Sequence, residues 1–461
     1  MPSSFEKFIV ENAEAEVSRL LLSRVEWPSP PADPLFSSFD GKELAVSTIE
    51  ARKKLRDKVP EWYSLTSLVY PSALCAEQCS SSVTASYKAS LASRILGNVP
   101  GRIADLTGGL GIDSWAFSSV ASEVLYNEMD SSLASAAKHN FAEFDARNIR
   151  VENSEVSWES LGSLMAGFTP DLIFLDPARR DNSGGKVFLL EDCSPNVLDL
   201  IPELFRYSRN ILLKLSPMAD VTMVVERLNR SYEAALMEGG SEGWNGNWVR
   251  EVHVVASGGE CKELLVWMDR EWKGEYSVTC REDGGSLSFS SEEIRSSKAV
   301  LPEAVDFKYI FEPGKSLAKA GVFNALCSRF GLVKLARSTN LFAWNIDSLS
   351  GGNATGRTFS RIGREAQGAQ APFAAGDVND VFANLGKIFK VTEVVRMNKA
   401  GMRDVGKRYP KSEVSARNIP LTSAELRSRL GVKSGDNAHI FGVRIETPFQ
   451  ADNFLLVCHR I

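Results

Sequence analysis

Between about residue 100 and residue 270 the sequence alternates between short apolar runs and amphipathic stretches of helical length. RIADL is followed by SWAFSSVA, EVLYNEM by SLASAAKHNFAEF, PDLIFLDP by PNVLDLIPELFRY, and NILLKLSP by TMVVERLNRSYEAAL. Parallel strands need a long crossover connection, which a helix supplies, so the pattern predicts βαβ units and a largely parallel sheet. WVREVHVVAS and ECKELLVWM follow as two strands across a Gly-Gly, which fits an antiparallel hairpin closing that sheet.

The flanks read differently. FEKFIVENAEAEVSRLLLS sets Phe5, Phe8, Ile9, Ala13, Val17, Leu20 and Leu21 on one helical stripe, WPSPPADP breaks it, and a second helical run covers roughly 46–57. Residues 271–300 are polar, with a Gly-Gly and several serines, and are expected to bridge domains. The remainder mixes short strands and helices around SLSGGNATGRTF. At 461 residues the chain exceeds one ordinary core, and the expected organisation is a helical N-terminal region (1–85), an α/β sheet domain (86–295) and a smaller α+β domain (296–461).

A composition of 44% hydrophobic and 24% charged residues is that of a globular protein. No apolar run approaches the roughly 18 residues a membrane helix needs, and MPSSFEKFIVENAEAE lacks a signal-peptide profile, so a cytoplasmic protein is expected. The seven cysteines are odd in number, contain no CxxC, and leave Cys75 and Cys79 without a nearby histidine, so neither disulfides nor a metal site is expected. A net charge of −5 argues against indiscriminate coating of nucleic acid but leaves room for a local basic face.

ADLTGGLGID, residues 104–113, ends an apolar strand in an acid and runs directly into glycines. In a doubly wound sheet ligands bind outside the carboxyl ends of the strands, where glycines let backbone NH groups approach and a carboxylate accepts hydrogen bonds from an amine or hydroxyl. The alternative is a tight turn in which Asp105 serves only local backbone NH groups. The dinucleotide fingerprint fails, because its third glycine falls on Ser114. VLYNEMD then ends the next strand in Glu128, placed to hold a ribose diol, while Asp130 reads as a cap for the following helix.

An acid after strand one, glycines, and an acid after strand two resemble the class I S-adenosylmethionine-dependent methyltransferases. The resemblance implies a Rossmann-like sheet and S-adenosyl-L-methionine as cofactor. It implies that Asp105, Thr107, Gly108, Gly109 and Gly111 face the methionine part, that Glu128 faces the ribose, and that Asn153, Ser154 or Glu155 reaches the adenine.

PDLIFLDPARRD, residues 170–181, puts Asp-Pro at a strand end where many base-modifying members of that class carry D-P-P-Y or N-P-P-Y. Asp176 can accept a hydrogen bond from the acceptor group or take its proton, and Pro177 stiffens the turn that aims it. Ala178 and Arg179 stand where the aromatic platform would be, which departs from exocyclic amine methylation. D-P-A-R resembles the loop of RNA uridine C5 methyltransferases, but LKLSP has Leu215 where their cysteine would stand, which excludes that route. Arg179 and Arg180 suit a phosphate or carboxylate, or pair with Asp181 or Glu191. Lys214 ends the fifth strand, either at the site rim or solvated, and Cys193 reads as a small buried hydrophobe.

With EQCSSSVTASYKASL (77–91), KVFLLEDCSP, LLKLSPMAD, GGECKELL, YIFEPGKSLAKAG, GRTF (356–359) and ARNIPLTSAELRSRLGVKSG, these motifs resemble a bacterial family of methyltransferases with a THUMP-like C-terminal domain over about residues 70–461. THUMP domains occur on RNA-modifying enzymes, so the resemblance implies RNA as partner. Between Arg396 and Lys433 ten cations (Arg396, Lys399, Arg403, Lys407, Arg408, Lys411, Arg417, Arg427, Arg429, Lys433) face three acids (Asp404, Glu413, Glu425), a surplus suited to phosphates or a solvated helix face. Gln78, Ser80 and Lys88 approach the site, or belong to a serine-capped helix. Three functions remain in view: an RNA methyltransferase, an RNA-binding protein with a non-catalytic methyltransferase fold, and a methyltransferase for a small molecule or protein.

Overall fold

A computed structural model describes residues 2–179, 190–238, 247–344, 382 and 384–461. The chain divides into two compact units, residues 1–250 with 264–274, and residues 251–263 with 275–461.

The first unit opens with helices α1 (Ser4–Glu11), α2 (Val17–Leu22), α3 (Gly41–Leu55), α4 (Pro60–Ser64), α5 (Ala73–Gln78) and α6 (Ser82–Ile95). Side chains of Ser3, Asp40, Ser72 and Ser81 accept the first free amides of α1, α3, α5 and α6, which is why those helices start where they do. The single stripe expected over residues 5–21 is broken in two. Both the backbone amide and the side-chain amide of Asn12 donate to Phe8 O, ending α1, and Leu21 is left exposed. Phe5, Ile9 and Leu20 nevertheless share a core with Phe36, Leu44, Ile49 and Ala136.

The sheet contains β1 (Arg102–Asp105), β2 (Glu123–Asn127), β3 (Ile149–Glu152), β4 (Leu172–Leu175), β7 (Asn210–Leu215), β8 (Val249–Ser257), β9 (Glu260–Asp269), β10 (Ser277–Glu282) and β11 (Gly285–Ser290). A separate two-residue ladder pairs β5 (Ala178–Arg179) with β6 (Cys193–Ser194). The sheet order is β11-β10-β8-β9-β7-β4-β1-β2-β3. Neighbours from β7 to β3 are parallel and β9 runs antiparallel to β7. This is the mostly parallel sheet with a closing antiparallel strand that the alternation predicts. Helices α7 (Ile112–Ser118), α8 (Ser131–Glu143), α9 (Trp158–Leu164), α10 (Val197–Tyr207) and α11 (Val221–Glu238) connect its strands. Cys193 is buried, as expected of a small hydrophobe.

Residues 271–300 are not a bridge. They supply β10, parallel to β8, and β11, antiparallel to β10, followed by α12 (Ser291–Ser296). On β11, Leu287 and Phe289 are buried while Ser288 and Ser290 are exposed, a period of two that the serines mask, and on β10 Val278, Thr279 and Cys280 are all buried. Asp283-Gly284 between them makes a tight turn.

The second unit holds a seven-stranded sheet, order β13-β14-β12-β15-β18-β17-β16, from β12 (Tyr309–Pro313), β13 (Val333–Lys334), β14 (Phe342–Trp344), β15 (Gly386–Arg396), β16 (Glu413–Arg417), β17 (His439–Glu446) and β18 (Ala451–Arg460). Helices α13 (Lys315–Ala320), α14 (Phe323–Phe330), α15 (Lys399–Arg408) and α16 (Ser423–Leu430) accompany it. Residues 356–359 lie outside the described residues. Among the described residues no helix is long and apolar enough to cross a membrane, and no group of His, Cys, Asp and Glu could hold a metal ion.

A buried polar contact ties the N-terminal region to α8. Asn140 of α8, buried, both donates to Val69 O and accepts from Val69 N at 2.9 Å. Asn140→Ala leaves a buried amide and carbonyl unpaired and should lower unfolding free energy by about 2–4 kcal/mol, read from urea unfolding of the full chain.

Candidate active site

The site begins at the carboxyl end of β1. Asp105 is 1% exposed, accepts Thr107 N at 3.2 Å, and accepts the hydroxyl of Ser114 at 2.6 Å. Burial pushes its carboxyl up to about 7, with Asp113 and Asp176 adding to the rise and the Ser114 and Thr107 bonds opposing it. The local-turn reading of Asp105 is thus present, and the same carboxylate lines a cavity.

The glycines have reasons that the sequence does not display. A Cβ on Gly108 would stand 2.1 Å from the ring of Tyr126, and one on Gly111, at φ +88°, would stand 2.5 Å from Phe141. These two glycines make room for aromatic rings below the loop. Gly109, at φ +53°, meets nothing within 4 Å and alone is open to a ligand. Tyr126 holds it there by donating its hydroxyl to Gly109 O at 2.6 Å.

On the β2 side, Glu128 accepts Gly109 N through one oxygen and Asp130 N through the other, both at 2.9 Å. The acid therefore fixes the glycine loop before any ligand reaches it. Asp130 caps α8, accepting Ser132 N and Leu133 N. Asn127, fully buried, donates to Leu106 O and Ser154 O and accepts Ser154 N, joining the ends of β1, β2 and β3. Asn153 donates to Glu128 O and Met129 O, whereas Ser154 and Glu155 face the cavity.

On the other side of β1, the register sets Leu175 opposite Leu213. Asp176, the first residue beyond β4, thus comes beside Lys214 of β7, and the Lys214 ammonium bonds the Asp176 carboxylate. The Asp176 amide donates to Thr107 Oγ1 at 2.6 Å. Pro177 follows, and the β5–β6 ladder carries the chain from Ala178 across to Ser194, Pro195 and Asn196. The side chain of Arg179, and Arg180 and Asp181 entirely, lie outside the described residues; Glu191 pairs with Arg227.

These groups enclose one cavity of about 930 Å³, lined by Asp105, Thr107, Gly108, Gly109, Glu128, Asp176 and Lys214 together with Gln78, Ser80 and Asp113. That is the size of a cofactor-plus-substrate cleft. Gly111 is not part of the lining. Ser114, Asn127 and Tyr126 were missed; only Ser114 carried a local signal, a hydroxyl in the first turn of the helix after the acid.

The basic stretch of the second unit is partly neutralised, by Asp404 and Glu413 within it and by Asp452, Glu393 and Glu312 outside it. Arg396 pairs with Asp452, Arg408 with Glu393 and Asp404, Arg417 with Glu312, and Arg427 with Glu413. Lys399, Arg403 and Lys407 are exposed at i, i+4 and i+8 of α15 and have no ion-pair partner among the described residues. That spacing puts three cations about 6 Å apart along one helix face.

A THUMP domain-like family model matches residues 386–460, and a ferredoxin-like domain model matches residues 309–346. A solved structure from Porphyromonas gingivalis W83, described as a "putative methyltransferase", aligns over 99% of this chain and 97% of its own at 27% identity and a TM-score of 0.74. The chain has a class I methyltransferase fold with a THUMP-like C-terminal domain. An S-adenosylmethionine-dependent methyltransferase of Agrobacterium tumefaciens (17% identity, 42% of this chain, 64% of that one, TM-score 0.29) also aligns. So does the 16S rRNA N2 G1207 methyltransferase of T. thermophilus (14%, 41%, 43%, TM-score 0.27). At these TM-scores neither bears on the site. No curated protein matches the chain.

The glycines of this methyltransferase fold separate by role. Gly108→Ala should cost several times more stability than Gly109→Ala, because the first drives a methyl into a buried ring and the second only holds alanine at positive φ, worth about 1–2 kcal/mol. Parallel thermal melts check this, and equal losses would contradict it.

Proposed function

We propose that the protein is an S-adenosylmethionine-dependent methyltransferase whose acceptor is an RNA base. The observation that carries the reading is the juxtaposition, in one cavity, of the β1 and β2 acids with the Asp176–Lys214 pair at the ends of β4 and β7. The chemistry of the lining fits the cofactor: an open backbone at Gly109, carboxylates for an ammonium and a ribose diol, and space for a nucleoside.

Bound S-adenosylmethionine supplies a methyl group already made electrophilic by its sulfonium. The protein's work is then mainly positioning. Asp105, Thr107 and Gly109 hold the amino-acid side of the cofactor and Glu128 its ribose. Asp176, oriented by Lys214 and held in place by the hydrogen bond from its backbone amide to Thr107 Oγ1, accepts a hydrogen bond from the acceptor or takes its proton as the methyl transfers. Pro177 and Arg179 shape the acceptor side of the turn. The THUMP-like domain and the face of Lys399, Arg403 and Lys407 favour RNA: phosphates dock on that face while a base is presented to the site. A protein or small-molecule acceptor would have no use for that face.

Transfer of labelled methyl from S-adenosylmethionine into total bacterial RNA tests this. Asp176→Ala should lower incorporation by about 10²–10⁴ while leaving cofactor affinity nearly unchanged, the signature of an acid–base or orienting group. Loss of cofactor binding as severe as in Asp105→Ala would contradict the division of roles. Changing Lys399, Arg403 and Lys407 to Gln should flatten the salt dependence of RNA binding by about two in slope. An unchanged slope with activity retained would favour a small-molecule or protein acceptor, and RNA binding without turnover a non-catalytic protein.

A further inference from the structure

Phe449 is 88% exposed, at the tip of the hairpin that joins β17 to β18. Among the described residues no other ring packs on it. A ring this open leaves its hydrophobic free energy unrecovered by folding.

The turn holds the ring out. Pro448 fixes the backbone at the residue before it, and Thr447 closes the loop. The Thr447 amide donates to Gln450 O at 2.8 Å, and its hydroxyl accepts the amides of Phe449 and Gln450 at 3.3 and 3.2 Å. A partner can therefore dock on the ring without first ordering the chain that carries it.

The surroundings are cationic. β15 and β17 both run antiparallel to β18, and β16 runs parallel to β17, so β15, β16 and β17 all end on the hairpin's side of the sheet. Arg396 ends β15 and pairs with Asp452, and Arg444 of β17 pairs with Glu446. Glu446 also accepts the amide of Arg337 at 3.1 Å, which brings that residue to the foot of the hairpin. Lys399 opens α15 three residues after Arg396. Arg337 and Lys399 are exposed and have no ion-pair partner among the described residues. Four cations (Arg337, Arg396, Lys399, Arg444) thus outnumber two acids (Asp452, Glu446) around one bare ring.

An apolar protein surface laid over Phe449 would cover Arg337 and Lys399 without supplying counter-charge, which opposes binding. A polyanion with flat rings meets both features: its phosphates take the two cations, and an unstacked base lies on the phenyl face. The bases of a duplex already stack on one another and offer no free face. We propose that Phe449 is a stacking platform for an unpaired RNA base, with Arg337 and Lys399 holding the phosphates beside it. It is a docking contact of the second unit, for a base other than the one that is methylated. The inference rests on the RNA reading and narrows it to RNA that carries a single-stranded segment.

The test titrates the full chain into two fluorescein-labelled probes, a mixed-sequence single-stranded RNA of about twelve nucleotides and the same strand annealed to its complement, read by fluorescence anisotropy. Phe449→Ala should weaken binding of the single strand about tenfold. Phe449→Leu, apolar but without a ring face, should weaken it as much, whereas Phe449→Trp should bind at least as tightly as wild type. Affinity for the duplex should be unchanged in all three, which also reports that each variant is folded. Changing Arg337 and Lys399 together to Gln should flatten the salt dependence on the single strand by about 1.4 in slope. Wild-type affinity in Phe449→Ala, full retention by Phe449→Leu, equal losses on both probes, or an unchanged salt slope would overturn the platform while leaving the RNA reading standing. If folded wild type binds neither probe, the RNA reading falls and the platform with it.

Discussion

Thr107 donates its amide to the Asp105 carboxylate while its hydroxyl accepts the amide of Asp176. One residue, through its backbone amide and its hydroxyl, thus links the acid that ends β1 to the acid that follows β4. Because methyl transfer depends on in-line placement, that spacing bears on the proposed reaction together with the two carboxylates it separates. The remaining contacts of the site extend outward from it. Lys214 steadies Asp176 from the neighbouring strand, Ser114 steadies Asp105 from α7, and Glu128 pins the loop at Gly109.

Rigidity at the loop is obtained from beneath by packing. Tyr126 and Phe141 occupy the space that side chains at 108 and 111 would need, and the same rings belong to a core shared with Trp62, Leu68 and Tyr70 of the N-terminal region. Asn140 and His139 add polar ties, His139 to Asp33 and to Ser67 O. The N-terminal helices and the glycine loop consequently rest on one another. Damage to the former is expected to reach the latter through packing alone.

The sheet was legible because apolar strands and amphipathic helices alternate over 170 residues of sequence, and a period of that kind survives almost any local exception. Asp105, Gly109, Glu128 and Asp176 were legible for a related reason: strand ends are where a doubly wound sheet exposes side chains. What failed was whatever depends on partners far along the chain. The burial of rings against Gly108 and Gly111 needs Tyr126 and Phe141 folded under the loop. The neutralisation of Arg408 and Arg417 needs Glu393 and Glu312, outside the stretch that was counted. The strands at 277–290 resemble a polar bridge in sequence because the edge strand β11 hides its alternation among serines.

Asp105 carries the central claim, because an acid buried this deeply has little reason to ionise unless a cation arrives. Its folded-state value near 7 lies above its ordinary one, so its contribution to stability is present at low pH and is lost as pH rises through about 7. A ligand bearing an ammonium and a sulfonium should reverse the preference, favouring the carboxylate. The direct measurement is calorimetric titration with S-adenosylmethionine from pH 6 to 8 in buffers of different ionisation enthalpy. The account predicts micromolar binding that tightens as pH rises, releases a proton below pH 7, and disappears in Asp105→Ala. Binding that is absent from the folded protein, or that is indifferent to both pH and Asp105, would contradict it.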